Sequence, residues 1–262
     1  MLATLIGTDS IARGSLAQQA LPVRIAVGLT PAHVALGADG SRAFVTLQSD
    51  DGLAVVDLGS NALLTTIPLS SGGFNVAVAP DGKRVYATTA TGDVYVVNVT
   101  TNAAITTVHV GPAANGLAFS PDGTMLYVSS RDSGMVAAIS TVSDSVVRRY
   151  DVGGAPQRLA ASSDGRLLYV ANEANAVQVV DLATGAVQPI AFPSAAYGLA
   201  LTPDDTQLYV TFPQEGVVRV LDRVSHTVLK VIDIGGIPRN IAFDALGHTA
   251  VVTNEVAVTF IQ

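Results

Sequence analysis

The sequence predicts an all-β fold, and three observations carry that prediction: a composition of apolar residues and turn formers, a recurring unit, and alternation of period two inside the unit. Of 262 residues, 49% are hydrophobic and only 13% charged, with 24 glycines and 12 prolines. That balance excludes a disordered chain or a coiled coil, and a mean hydropathy of +0.44 provides ample material for a core.

The unit is clearest at its tightest turn. Ala38-Asp39-Gly40, Pro80-Asp81-Gly82, Pro121-Asp122-Gly123, Ser163-Asp164-Gly165 and Pro203-Asp204-Asp205 recur, followed by a degenerate Ala245-Leu246-Gly247. Their central residues are spaced 42, 41, 42, 40 and 42 apart. Five residues after each centre stands Phe44, Tyr86, Tyr127, Tyr169, Tyr209 and finally Val251. Four residues before each centre stands an alanine: Ala35, Ala77, Ala118, Ala160, Ala200 and Ala242.

Each strand of the unit follows from its own pattern. Residues 115–120, 125–130, 135–140 and 145–152 alternate apolar and polar as short strands. The Pro-Asp-Gly turn joins the first two, because Pro presets φ and Gly accepts a positive φ. Asp57, Asn98, Ser140, Asp181 and Asp222 are expected to cap the turn between the third and fourth strands through their side chains. Four antiparallel strands per unit make a β-propeller blade, whose two apolar faces are buried only by stacking against neighbours. The alanine is expected on the innermost strand where blades converge. Val34/Leu36, Val76/Val78, Leu117/Phe119, Leu199/Leu201 and Ile241/Phe243 are expected to fill the gap between blades.

Tyr169-Val-Ala-Asn172, Tyr209-Val-Thr-Phe212 and Val251-Val-Thr-Asn254 resemble the motif that names the YVTN β-propeller repeat family, within the lactonase- and lyase-like propeller superfamily. The resemblance covers roughly residues 21–262 and implies a propeller. It implies no single activity, because that family holds surface and periplasmic proteins, cofactor-protein subunits and a few enzyme-like relatives.

Six innermost strands predict a six-bladed propeller formed by residues 21–262 as a single domain. The last unit stops after its third strand, and residues 21–28 match the fourth strand of the others. The expectation is a ring closed by that N-terminal strand pairing with the three C-terminal strands, which removes open sheet edges. Residues 1–20 are then an N-terminal extension packed on the propeller.

Function is expected where the repeat breaks its own symmetry. The two positions before each innermost strand's first apolar residue read Ala32-His33, Phe74-Asn75, Asn115-Gly116, Gln157-Arg158, Tyr197-Gly198 and Arg239-Asn240. Neighbouring connections add Asp50, Asp51, Arg131, Asp132, Glu173, Glu215 and Glu255. His33, Asn75, Asn115, Arg131, Gln157, Arg158, Tyr197, Arg239 and Asn240 are the candidate ligand-binding residues at the mouth of the central channel. Arg131, Arg158 and Arg239 make a local positive centre suited to carboxylate or phosphate oxygens. The competing reading pairs these arginines with Glu173 and Asp132 and leaves the face merely solvated. The repeated hairpin aspartates, by contrast, read as turn formers.

Charge and composition narrow the partners. With 14 basic and 21 acidic residues, net charge −7 and pI 4.9, the chain is unsuited to nucleic acid or an anionic membrane. No run is long enough to span a bilayer as a helix. The absence of cysteine excludes disulfides and thiolate chemistry. No histidine pair has metal-ligand spacing, so no metal or other cofactor is expected, and Ca²⁺ or Mg²⁺ held by rim acids has no loop motif behind it. The reading is a noncatalytic, monomeric binding or scaffold module for a polar or anionic ligand or a protein partner. The alternative is a lactonase- or lyase-like enzyme with His33 as general acid–base and Arg158 and Arg239 as anion clamp. A third reading, a subunit supporting a redox partner, comes from the family resemblance. The apolar start of the chain has no preceding positive charge, and Gln18-Gln19-Ala20 makes a weak cleavage site. The expected location is the cytoplasm if the chain is complete, and the periplasm or exterior if a signal has been removed.

Overall fold

The structure is a computed structural model, and it describes residues 2–5, 8–15, 20–244, 246–254 and 257–262. These residues form seven antiparallel sheets, taken in chain order. The first sheet is β1 (Leu2–Leu5), β2 (Ser10–Ser15) and β3 (Ala20–Ala26). Five four-stranded sheets follow. They are led by the inner strands β4 (Pro31–Leu36), β8 (Gly73–Val78), β12 (Ala114–Phe119), β16 (Pro156–Ala161) and β20 (Leu199–Leu201). Their second strands are β5 (Arg42–Leu47), β9 (Arg84–Thr89), β13 (Met125–Ser130), β17 (Leu167–Asn172) and β21 (Gln207–Phe212). The third are β6 (Gly52–Asp57), β10 (Asp93–Asn98), β14 (Met135–Ser140), β18 (Ala176–Asp181) and β22 (Val217–Asp222). The fourth are β7 (Ala62–Pro68), β11 (Ala103–His109), β15 (Ser145–Asp151), β19 (Val187–Ala191) and β23 (Val228–Asp233). The last sheet is β24 (Pro238–Phe243), β25 (Ala250–Asn254) and β26 (Ala257–Ile261).

There are therefore seven blades, not the six expected. Strands β1, β2 and β3 supply the extra blade, and β3 pairs with β2 instead of closing onto the C-terminal strands, where β26 pairs with β25. The miscount has a simple cause. The alanine, turn and aromatic markers all sit on the first and second strands of a unit, and the first sheet has no inner strand among the described residues. A blade without an inner strand is invisible to that count. The pairing of β3 with β2 is local along the chain, which closes a smaller loop than pairing with the far end. Ile11, Ile25 and Val27 are buried with Ala43, Val45 and Leu47 of the second blade in one apolar cluster, so residues from β2 onward pack as a blade.

Two compact units make up the chain: residues 1–128 with 138–147, and residues 129–137 with 148–262. The first holds blades one to three and part of the fourth. Its core joins Phe44, Leu53, Val55, Val76, Val85 and Val97 from blades two and three. The second holds the rest of the fourth blade and blades five to seven. Its cores join Tyr169, Val177, Leu199, Val210 and Phe212, then Val218, Ile241 and Val252. Each fully buried Val or Leu in these clusters contributes on the order of 1.5–3 kcal/mol.

The repeated alanine is explained by its cross-strand partner. Ala35 faces Phe44, Ala77 faces Tyr86, Ala160 faces Tyr169, Ala200 faces Tyr209 and Ala242 faces Val251 in the ladder. A small residue opposite each ring leaves room for a side chain of the next blade. Tyr86 meets Phe119 edge-on at 5.5 Å between ring centres, and Tyr209 meets Phe243 at 4.9 Å.

The turns behave as their residue types require. Asp39, Asp81, Asp122, Asp164 and Asp204 each accept the backbone N–H two residues on, at 2.9–3.1 Å. The glycine that follows the first four holds φ near +69°, while the fifth copy forces Asp205 to φ +59°. Asp57, Asn98, Asp181 and Asp222 cap the later turn through their side chains at 2.6–3.0 Å, and Ser140 does so at 3.3 and 3.4 Å. Several arginines pin one blade to the next blade's turn. Arg42 donates to the Val99 carbonyl at 2.6 Å, Arg84 to the Thr141 carbonyl at 2.7 Å and to Asp144 at 2.9 Å, and Arg148 to the Leu182 carbonyl at 2.8 Å.

Candidate functional site

Four of the six symmetry-breaking pairs sit at β-bulges. The ladder between first and second strands slips between Pro31 and His33, Gly73 and Val76, Pro156 and Leu159, and Pro238 and Ile241. A bulge interrupts pairing and re-aims side chains, so these positions are released from the sheet's alternation.

A hydroxyl on the second strand repairs the interrupted ladder. Thr46, Thr88, Thr211 and Thr253 accept the N–H of His33, Asn75, Gly198 and Asn240 at 2.7–3.2 Å. Thr88, Ser129 and Thr211 then donate to the carbonyls of Asn115, Gln157 and Arg239 in the following blade at 3.0, 2.7 and 2.9 Å. The hydroxyl thus relays a backbone bond from one blade to the next. Blade five carries no hydroxyl here, because Ala171 occupies this place. There the Arg158 N–H bonds the Tyr197 carbonyl directly at 3.4 Å. Reading the sequence by its turns overlooked this ladder, although the signal is present: a Thr or Ser lies seven residues after every turn centre except Asp164.

In the second compact unit the candidate residues form two linked groups. Glu173 accepts from Gln157 Nε2 at 2.7 Å and from Arg131 at 2.8 Å, and Arg131 also pairs with Asp132 at 3.1 Å. Arg131 is therefore neutralised by acids, as the competing reading held, and the Glu173 hydrogen bond is the largest cause raising its pKa. Gln157 is buried.

The other group spans blades five to seven. Arg158 Nε donates to Asn240 Oδ1 at 2.7 Å, and the Arg239 guanidinium lies 4.7 Å from the centre of the Tyr197 ring. Burial lowers the Arg158 pKa. Arg158 nevertheless keeps some solvent-accessible surface. A desolvated guanidinium gains from an oxyanion beside it.

In the first unit, His33 is held through its backbone by Thr46, while buried Asn75 and part-exposed Asn115 share the Thr88 hydroxyl. Asn75 Oδ1 is taken by the Val76 N–H at 2.8 Å. Of the rim acids, Asp50 accepts the Leu29 N–H at 2.6 Å, and Glu215 is locked by Arg219 at 2.6 Å and by Ser194. Glu255, Ala245, Gln18 and Gln19 lie outside the described residues. Among the described residues no group of three or more His, Cys, Asp or Glu could hold a metal ion, and no helix is long and apolar enough to cross a membrane.

Seven antiparallel blades with their variation concentrated at the inner-strand bulges define a seven-bladed β-propeller. The chain belongs to the YNCE-like beta-propeller family, whose model matches residues 9–199. Among solved structures it is similar to the hydrazine synthase of Kuenenia stuttgartiensis, with TM-score 0.89 and 18% identity over 97% of this chain and 89% of that one. At that identity the likeness carries the fold alone, and 1847 matching chains of solved structures make the fold a poor guide to activity. No curated protein sequence matches the chain.

Proposed function

We propose that this propeller is a noncatalytic binding scaffold that takes a polar or anionic small ligand at Arg158 and Arg239, on blades five to seven. The observation that carries the reading is the Arg158 Nε bond to Asn240 Oδ1 at 2.7 Å, two blades away, beside Arg239 stacked on Tyr197. An amide fixes one guanidinium and an aromatic ring the other, so both are oriented before any ligand arrives. Preorganised donors reduce the ordering cost of binding. The desolvated setting of Arg158 supports an anion, which offsets the loss of hydration around the charge.

The test is thermal unfolding with inorganic phosphate or citrate, in the wild type and in an Arg158→Ala/Arg239→Ala variant. A ligand at a hundred times its Kd stabilises by about 2.7 kcal/mol, a rise in Tm of roughly 5–10 °C for a chain of this size. The wild type is expected to show such a rise with at least one of the two anions and the variant none. Equal shifts in both proteins, or no shift in the wild type, overturn the assignment.

A further inference from the structure

We infer that Ala171 and Gly198 are positioning residues for Arg158: by withholding side-chain atoms they let its guanidinium reach across blade six to Asn240. The inference rests on the binding reading above for its purpose, but on separate geometry for its content.

Blades five, six and seven place Arg158, Gly198 and Asn240 at the same position of the repeat. In blades six and seven a threonine hydroxyl accepts that residue's N–H, Thr211 for Gly198 at 2.7 Å and Thr253 for Asn240 at 3.2 Å. Ala171 offers no hydroxyl, so the relay between blades five and six collapses into the direct Arg158 N–H to Tyr197 carbonyl bond at 3.4 Å. A relay through oxygen spans two hydrogen bonds, as Thr211 shows with 2.7 Å to Gly198 N and 2.9 Å to the Arg239 carbonyl. Removing it draws the Arg158 backbone toward blade six.

Gly198 supplies the second half of the device. A Cβ there would collide with the Arg239 carbonyl oxygen and come within 2.9 Å of Thr211 Oγ1. The bare backbone keeps blades six and seven close, which shortens the span that Arg158 crosses. Both absences bring blades five and seven nearer, and across that span a side chain of blade five bonds a side chain of blade seven, 82 residues later. Ala171 and Gly198 touch no ligand in this account; they act through Arg158.

The test reads the Arg158 Nε–H by nuclear magnetic resonance in ¹⁵N-labelled protein without added anion. In the wild type this proton is expected to exchange with water about tenfold more slowly than in Asn240→Ala, the size expected for one hydrogen bond. Ala171→Ser restores the hydroxyl that Ser129 carries in blade four, and is expected to raise exchange to the Asn240→Ala level with the fold retained. Gly198→Ala is expected to do the same, and Ala171→Ser decides the matter if Gly198→Ala fails to fold. Unchanged exchange in Ala171→Ser overturns the inference, as does a wild-type Nε–H no slower than that of Asn240→Ala. Absence of phosphate or citrate binding, by contrast, removes the binding reading and leaves this exchange result standing.

Discussion

The Thr88 hydroxyl donates to the carbonyl of Asn115 in the next blade at 3.0 Å while accepting the N–H of Asn75 in its own blade. One side chain thereby satisfies a backbone group on each of two neighbouring blades. Thr88 is fully buried, so water cannot take its place. Thr88→Val keeps the shape and strands both groups, at a cost of about 1–3 kcal/mol. Thr88→Ser is expected to keep most of that stability. Chemical denaturation of the two variants checks the difference; equal stability would show the relay to be idle.

A second expectation concerns alkaline pH. Tyr86 is fully buried, and burial, then the Asp144 charge, push its pKa up to about 12. The unfolded chain ionises near the ordinary value of 10.0, while the folded protein keeps the proton longer. Stability from this group is complete below about pH 10 and is lost as pH rises toward 12. Tyr86→Phe is expected to flatten that fall and to remove one late-titrating phenol from the ultraviolet titration curve. A curve identical to the wild type contradicts the assignment.

At the acid end the hairpins act with the opposite sign. Hydrogen bonds from Ser120, Ser162 and Thr202 side chains are the largest causes holding Asp122, Asp164 and Asp204 below 3.8, and the Ser41 N–H does the same for Asp39. Stability from these carboxylates is present above about pH 4 and lost as pH falls below it. Replacing all four by Asn, which still forms the turn, is expected to weaken the acid dependence of Tm between pH 5 and 2. An unaltered slope would place the acid sensitivity elsewhere.

Asp205 tests two opposed effects. It holds a left-handed φ of +59° where the first four turns use glycine, a strain of about 1–2 kcal/mol. Its Oδ2 accepts the Ser163 hydroxyl at 2.8 Å and the Ser163 N–H at 3.1 Å, and lies 3.5 Å from Arg223 Nε. Hydrogen bonds to a charged group contribute about 1.5–3 kcal/mol, so the contacts outweigh the strain. Asp205→Gly is expected to lower Tm. A rise would mean that the link between blades five and six is worth less than the backbone relief.

How much of this was legible in the sequence follows from the range of each interaction. Turn chemistry is local, so Asp39, Asp81, Asp122, Asp164 and Asp204 declare both their role and the period. The alanine–aromatic pairs lie nine residues apart across one hairpin and are legible for the same reason. The first blade was hidden because the markers lie on strand pairs it does not have among the described residues. The bulge pairs were legible as departures from symmetry, which put Arg158, Tyr197, Arg239 and Asn240 on one short roster. Their mutual contacts were not, because Arg158 and Asn240 are 82 residues apart and meet only through packing. The capture of Arg131 by Glu173, a partner on the neighbouring blade, was legible as the competing pairing of rim charges.

The most direct test of the binding account is a titration of ¹⁵N-arginine-labelled protein with inorganic phosphate and citrate, followed at every Nε–H signal. Saturable shifts confined to Arg158 and Arg239, and abolished for Arg239 by Arg158→Ala, are the predicted result. Shifts shared evenly with Arg42, Arg84 and Arg148, or no saturation at any arginine, would contradict it.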